Sequence, residues 1–307
     1  MSTRAQTRSQ ALPGNALSPR LCLVCVLFAF LGPTSLYAQR EYRGMGLDLT
    51  SPHELVNESI LDLRQIGTNI VAIDFPLSQV SPVASSVAPV GGATLEQAIA
   101  SIEPIVDSIQ SAGMNVFLRP QVSVASGERS ALIEPAEADS WFASYGTAIN
   151  GIADFANRKN IALLGVGYEL NALESNAFED DWRELISDVR STYSGDLTYA
   201  ASHNFDFDTD GGYEDLPWWD AVDLVGINAY ASVVLSPSAI AEEIQVGWQE
   251  LADDIDDWQS RSGLSQQIVF TEVGYQSVDG GATTPREPAD PAFRFRIDLA
   301  EQANTYR

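Results

Sequence analysis

Leu163-Leu164-Gly165-Val166-Gly167-Tyr168-Glu169 is an apolar run that ends on a carboxylate. Taken from Ile161 to Leu170, it has the near-continuous apolar character of a strand covered on both faces. Six more segments have the same character: Tyr42 to Leu49, Asn69 to Phe75, Met114 to Val122, Leu197 to His203, Val222 to Tyr230 and Gln267 to Tyr275. Longer stretches of helical period separate them, with Trp141, Tyr145, Ile149, Ile152 and Phe155 on one face, then Trp182, Leu185, Ile186, Val189 and Tyr193 on another. A third stripe is formed by Ile240, Ile244, Trp248, Leu251, Ile255 and Trp258. Repeated βα units of this kind predict a parallel α/β fold, a (β/α)8 TIM barrel, with the aromatic stripes facing its core.

The stretch from Ser78 to Gly92 reads as an elaborated loop after the second strand. The last helix is expected to start at Asp290 as cap, with Pro291 in its first turn, and to run through Phe293, Ile297 and Ala300 to Arg307. No strand follows it, so the barrel is expected to be truncated before the eighth strand, with two sheet edges left open.

Residues 1–38 carry Arg4, Arg8 and Arg20 without an acid, then an apolar run from Leu21 to Leu31 and a small-residue exit at Ala38. This predicts a secretory signal peptide, removed on export, because a spanning helix needs about 20 apolar residues. Residues 39–307 have the length of one barrel domain. Both cysteines, Cys22 and Cys25, fall inside the leader, so the exported part has neither a disulfide nor a thiol nucleophile.

The chain holds 42 acidic against 17 basic residues, for a formal charge of −25, and its one lysine is Lys159. Such a field disfavours nucleic acid and anionic membranes as partners, and a monomer is expected. It also fits a protein adapted to high salt, where self-repulsion is screened. With only His53 and His203 in the chain, a His-rich metal site cannot be assembled, and no motif supports a Ser-His-Asp triad. No metal or organic cofactor is expected.

In a barrel, chemistry belongs at the C-terminal ends of the strands. Polar residues there are Asp48, Asp74, Arg119, Glu169, His203, Asn204, Asn228, Tyr230 and Glu272. Glu169 and Glu272 each end an apolar run directly. Two facing carboxylates can divide acid/base and nucleophilic roles when their environments differ. A gap of about 5–5.5 Å gives retention through a covalent intermediate, and a wider one gives inversion. Glu174 is a competitor for the acid role, although its polar stretch from Asn171 to Asn176 favours a loop carboxylate. Trp218 and Trp219 could stack on sugar faces, or one could pack beneath its loop. Asp206, Asp208 and Asp210 faintly resemble a calcium loop but lack its terminal glutamate, so a solvated acidic turn is the better reading.

Three segments carry a family resemblance: Gly167-Tyr168-Glu169-Leu170, Asp223-Leu224-Val225-Gly226-Ile227-Asn228-Ala229-Tyr230 and Thr271-Glu272-Val273-Gly274-Tyr275. They resemble clan A glycoside hydrolases, most closely family 113, and the likeness covers about residues 43–307. The resemblance implies a retaining endo-β-1,4-mannanase-like enzyme acting on a polysaccharide or oligosaccharide. Glu169 would be the general acid/base, Glu272 the nucleophile and Tyr230 its hydrogen-bonding neighbour. Asp74, Arg119, His203, Asn204, Trp218 and Asn228 are the candidate substrate-binding residues. Tyr168 departs from the clan, which commonly has Asn before the acid/base to bind a sugar hydroxyl. Two rival readings remain, a non-catalytic glycan-binding or inactive truncated barrel, and another clan A specificity such as a β-glucanase or β-galactanase.

Overall fold

The computed structural model describes residues 41–49, 53–203, 211–236, 239–283, 285 and 297–306. The leader, Asn204, the Asp206–Asp210 turn and the expected helix start at Asp290 and Pro291 lie outside them.

Seven parallel strands make one sheet: β1 (Gly44–Gly46), β2 (Ile70–Gln79), β4 (Asn115–Val124), β5 (Leu163–Tyr168), β6 (Asp196–Ser202), β7 (Leu224–Asn228) and β8 (Gln267–Glu272), paired in that order. Each expected strand is present, and β1, β5, β7 and β8 are shorter than their apolar runs. β2 is longer. It runs on to Gln79, and Leu77 and Ser78 pair antiparallel with β3 (Ala88–Pro89), so the presumed loop contains a short strand of its own.

The helices between strands follow the apolar stripes. α1 (His53–Gln65), α2 (Leu95–Ser111), α3 (Ala138–Arg158), α4 (Glu179–Thr192) and α5 (Ala241–Ser262) cover the outer face. A capping box opens α2, in which the Thr94 hydroxyl accepts from Gln97 N and the Gln97 side chain accepts from Thr94 N. Trp141, Tyr145 and Trp182 are fully buried, as the periodicity requires. Ile240 departs from its stripe. It precedes α5 and is exposed.

α6 (Leu299–Thr305) starts later than expected. The Asp298 carboxylate accepts from the amides of Ala300 and Glu301 and so caps the helix. Ile297, placed in the helix by its spacing, instead bridges antiparallel to Val278. A local cap outcompetes a periodic pattern that is only two turns long.

The sheet is strongly curled. Tyr42, Ile70, Ala72, Phe117, Leu163, Leu224 and Val269 form one interior cluster, drawing residues from both ends of the strand path. Arg119 on β4 also reaches Glu272 on β8, although three strands separate them in pairing order. The fold is therefore a (β/α) barrel with side chains filling its bore. Among the described residues, β1 and β8 are its two edges.

Candidate active site

Each glutamate sits just past an irregularity in its strand. In the β5–β6 pairing, Gly165 opposes Thr198 and Tyr168 opposes Ala200, which leaves one extra residue on β5. In the β7–β8 pairing, Ile227 opposes Phe270 and Asn228 opposes Glu272, which makes Thr271 the extra residue on β8. An added residue bends a strand and re-aims the side chains after it. Here it turns both carboxylates toward the same end of the bore.

Glu272 is 3% exposed and heavily anchored. Its Oε1 accepts from Arg119 at 2.6 Å, and its Oε2 accepts from the phenols of Tyr168 at 3.0 Å and Tyr230 at 2.9 Å. Three donors on two oxygens suit a carboxylate, which in its ionised form only accepts. Arg119 is held in turn by Asp74 (2.7 Å) and by the Thr271 carbonyl (3.2 Å). Asp74 keeps 42% of its side chain open. Desolvation pushes its carboxyl above the ordinary range, Arg119 pulls the other way, and the charges of Glu272 and Asp48 add to the rise. The Tyr168 phenol is held well above its usual value by burial and by the negative charges of Glu272 and Glu169, so it remains a donor.

Glu169 is half-buried and differently held. Its Oε1 accepts from Asn228 Nδ2 at 3.0 Å, and Asn228 Oδ1 accepts from the Thr271 hydroxyl at 2.7 Å. Asn228 is also the cross-strand partner of Glu272. One fully buried amide therefore sits beside one carboxylate and donates to the other, which brings the two glutamates into a single site. Glu169 has φ +41°, a left-handed conformation unusual for a non-glycine residue, at a typical cost of about 1–2 kcal/mol.

Several expected sugar contacts are placed elsewhere. Arg119 has a 4% exposed side chain whose donors are taken by protein, so it anchors the site and leaves no fork for a sugar. Asn228 is fully buried between Thr271 and Glu169. Trp218 and Trp219 are core residues. Trp218 stacks on Trp182 at 5.1 Å between ring centres, and Trp219 donates to the Tyr213 carbonyl. His203 is buried against Tyr213, with ring centres 5.4 Å apart. Of the described candidates for substrate contact, Asp74 keeps an open side.

Glu174 is the residue the sequence misjudged most. It does lie in a loop, between the turns Asn171–Leu173 and Asn176–Phe178, but it is fully buried there and accepts from the Tyr199 phenol at 2.7 Å. Burial pushes it up to about 8. Tyr199 and the Gly212 amide resist the shift, while the charges of Glu169 and Asp215 reinforce it.

Among the described residues, Asp279, Asp298 and Glu301 lie close enough to share an ion. Two of them are already committed to backbone amides, Asp298 at the α6 cap and Glu301 at Gly280 and Ala282. No described helix is long and apolar enough to cross a membrane.

Solved structures with this architecture include the β-mannanase AaManA of Alicyclobacillus acidocaldarius in complex with ManMIm. It is 23% identical, with a TM-score of 0.68 over 86% of this chain and 80% of that one. A family 113 β-1,4-mannanase captured as a complex is also 23% identical, with a TM-score of 0.62 over 81% of this chain and 75% of that one. At such identities the likeness establishes the barrel. Comparison with curated protein sequences gives no match. The model of Glycoside Hydrolase Family 113 matches residues 50–307. Together with two carboxylates gathered at the strand ends of a barrel, that match over most of its length shows that the chain belongs to glycoside hydrolase family 113.

Proposed function

We propose that this glycoside hydrolase cleaves a β-1,4-linked mannan-type polysaccharide with retention. Glu272 serves as nucleophile and Glu169 as acid/base. The observation that carries the reading is the shared Asn228, beside Glu272 and hydrogen-bonded to Glu169, in a setting where the two carboxylates have unlike partners. In the first step Glu272 attacks the anomeric carbon, the glycosidic C–O bond breaks, and the Glu169 proton passes to the leaving oxygen. In the second step Glu169 removes a proton from water, whose oxygen attacks the same carbon and releases Glu272. Asn228 keeps Glu169 aimed at the bond, and Tyr168 and Tyr230 hold Glu272 in register for attack.

The choice of mannan is supported by the activities named for the structurally similar family 113 enzymes. Export is supported by the basic and apolar composition of residues 1–38, and a salt-tolerant monomer by the −25 charge. The same charge disfavours nucleic acid as a partner.

Reducing-sugar release from mannan, β-glucan and β-galactan at low and high salt tests the substrate. Glu169→Ala and Glu272→Ala test the roles, with folding checked by circular dichroism. Turnover of mannan that both substitutions abolish is expected. Full activity in either variant overturns the assignment. A second reading is a glycan-binding barrel without turnover. Calorimetric binding of manno-oligosaccharides without product would establish it.

A further inference from the structure

Behind Glu169 lies a chain of buried groups that the two-carboxylate mechanism does not use. The residue after Glu169 is Leu170, and its amide donates to the Tyr199 phenol oxygen at 2.8 Å. The same phenol donates to Glu174 Oε1 at 2.7 Å. An N–H can only donate, so the phenol oxygen accepts from Leu170 and keeps its own proton for the Glu174 carboxyl oxygen.

The surroundings leave the phenol no alternative. Tyr199 is fully buried, edge-on to Trp182 (5.4 Å between centres) and to Trp218 (5.0 Å). Gly167 makes the room for it, because a Cβ there would lie 2.5 Å from the Tyr199 ring. On the far side, Glu174 Oε2 faces Gly211, whose φ is +107° and where a Cβ would come within 3.0 Å of that oxygen. The ring and the carboxyl are both wedged, and the point they hold is the peptide that follows Glu169.

That peptide needs holding. Glu169 takes φ +41° without being glycine, and its own amide is tied to the Ala200 carbonyl at 2.9 Å. Strain of this kind persists where the surroundings over-determine it. The Ala200 bond fixes the near side of Glu169 and the Tyr199 bond fixes the far side.

We propose that Tyr199 and Glu174 are positioning residues, a buried hydrogen-bond relay that clamps the peptide after Glu169 and so aims its carboxyl for proton transfer. The inference rests on Glu169 being the acid/base. A displaced acid slows departure of a poor leaving group and matters little for a good one, which needs no proton. A misplacement of about 1 Å is enough for roughly a 100-fold loss.

The test uses the full chain and two substrates, a manno-oligosaccharide and 2,4-dinitrophenyl β-mannoside, with thermal melts alongside. Glu169→Gln is the reference and is expected to lose about 10³-fold in kcat/KM on the oligosaccharide and far less in kcat/KM on the dinitrophenyl glycoside, whose first step needs no acid. Tyr199→Phe and Glu174→Leu are expected to lose about 10- to 100-fold in kcat on the oligosaccharide with KM unchanged, while kcat/KM for the dinitrophenyl glycoside, which reports the first step alone, is nearly kept. Glu174→Gln preserves an acceptor for the phenol and is expected to restore most of what Glu174→Leu loses. If Tyr199→Phe does not fold, the Glu174→Leu and Glu174→Gln pair carries the test alone. Equal losses on both substrates, no loss at all, or a Gln variant as impaired as the Leu variant would overturn the relay. A Glu169→Gln enzyme without leaving-group selectivity would instead overturn the acid/base assignment itself.

Discussion

The ends of β5 and β8 solve opposite problems with the same residue type. At the β8 end, Glu272 is buried against a cation and two phenols, so a fixed negative charge has all the donors it needs. At the β5 end, Glu169 is half-buried, takes an amide donor from Asn228, and has a fully buried second acid behind it. A barrel in this way separates two carboxylates that share one site. It places the guanidinium on one glutamate, and on the other it places strain and a second acid.

The sharpest way to break this asymmetry is to remove each carboxylate in turn. Glu272→Ala is expected to lose on the order of 10⁵-fold in kcat on every substrate, because no leaving group compensates for a missing nucleophile. Glu169→Ala is expected to lose about 10²–10⁴-fold on polysaccharide. Initial rates on both substrate types check this, and equal behaviour of the two variants would erase the proposed division of labour.

The next largest effect concerns stability and belongs to the β5 end. Glu174 is raised in the fold from 4.5 to about 8, so the folded state binds its proton more tightly than the unfolded state does. Stability from this group is fully present below about pH 4.5 and is lost as pH rises through about 8. Glu174→Gln removes that slope. By pH 9 the variant is expected to gain on the wild type by up to roughly 5 kcal/mol relative to their difference at pH 4, read from urea melts. Parallel stability curves would show that Glu174 does not titrate in this way.

The β8 end has its own test. Arg119→Leu leaves Asp74 and Glu272 without their shared cation, and breaking a buried pair typically costs about 3–5 kcal/mol. Denaturant titration reads the loss, and the double variant Arg119→Leu with Asp74→Asn should recover part of it. The smallest effects belong to the phenols. Tyr168→Phe and Tyr230→Phe each remove one bond to a charged acceptor, about 1.5–3 kcal/mol or roughly 10- to 100-fold in kcat/KM. The two should not be additive, since they donate to the same oxygen.

How far this site could be read from the sequence follows the range of the forces involved. The seven strands and their two terminal glutamates were legible, because a strand buried on both faces leaves an apolar run that stops where solvent begins. Tyr230 was legible as a neighbour of Glu272 through the family's pattern. Arg119 was found but misassigned. Nothing local reveals that its donors cross the bore to β8. Trp218 and Trp219 sit in a loop beside proline and acids, yet the aromatic shell around Trp182 and Tyr199 buries them. Glu174 failed for the same reason, since its polar sequence neighbours say nothing about a shell built from α4, β6 and the stretch before β7. The left-handed turn at Glu169 had no glycine to announce it. The start of α6 was displaced by a side-chain cap at Asp298 that any acid in the segment could have supplied.

The division between the two strand ends is tested most directly by trapping the enzyme with a 2-deoxy-2-fluoro β-mannosyl fluoride and locating the adduct by peptide mass spectrometry. A single covalent sugar on Glu272 is expected. A sugar on Glu169 or Glu174, or turnover with inversion and no adduct, would contradict it.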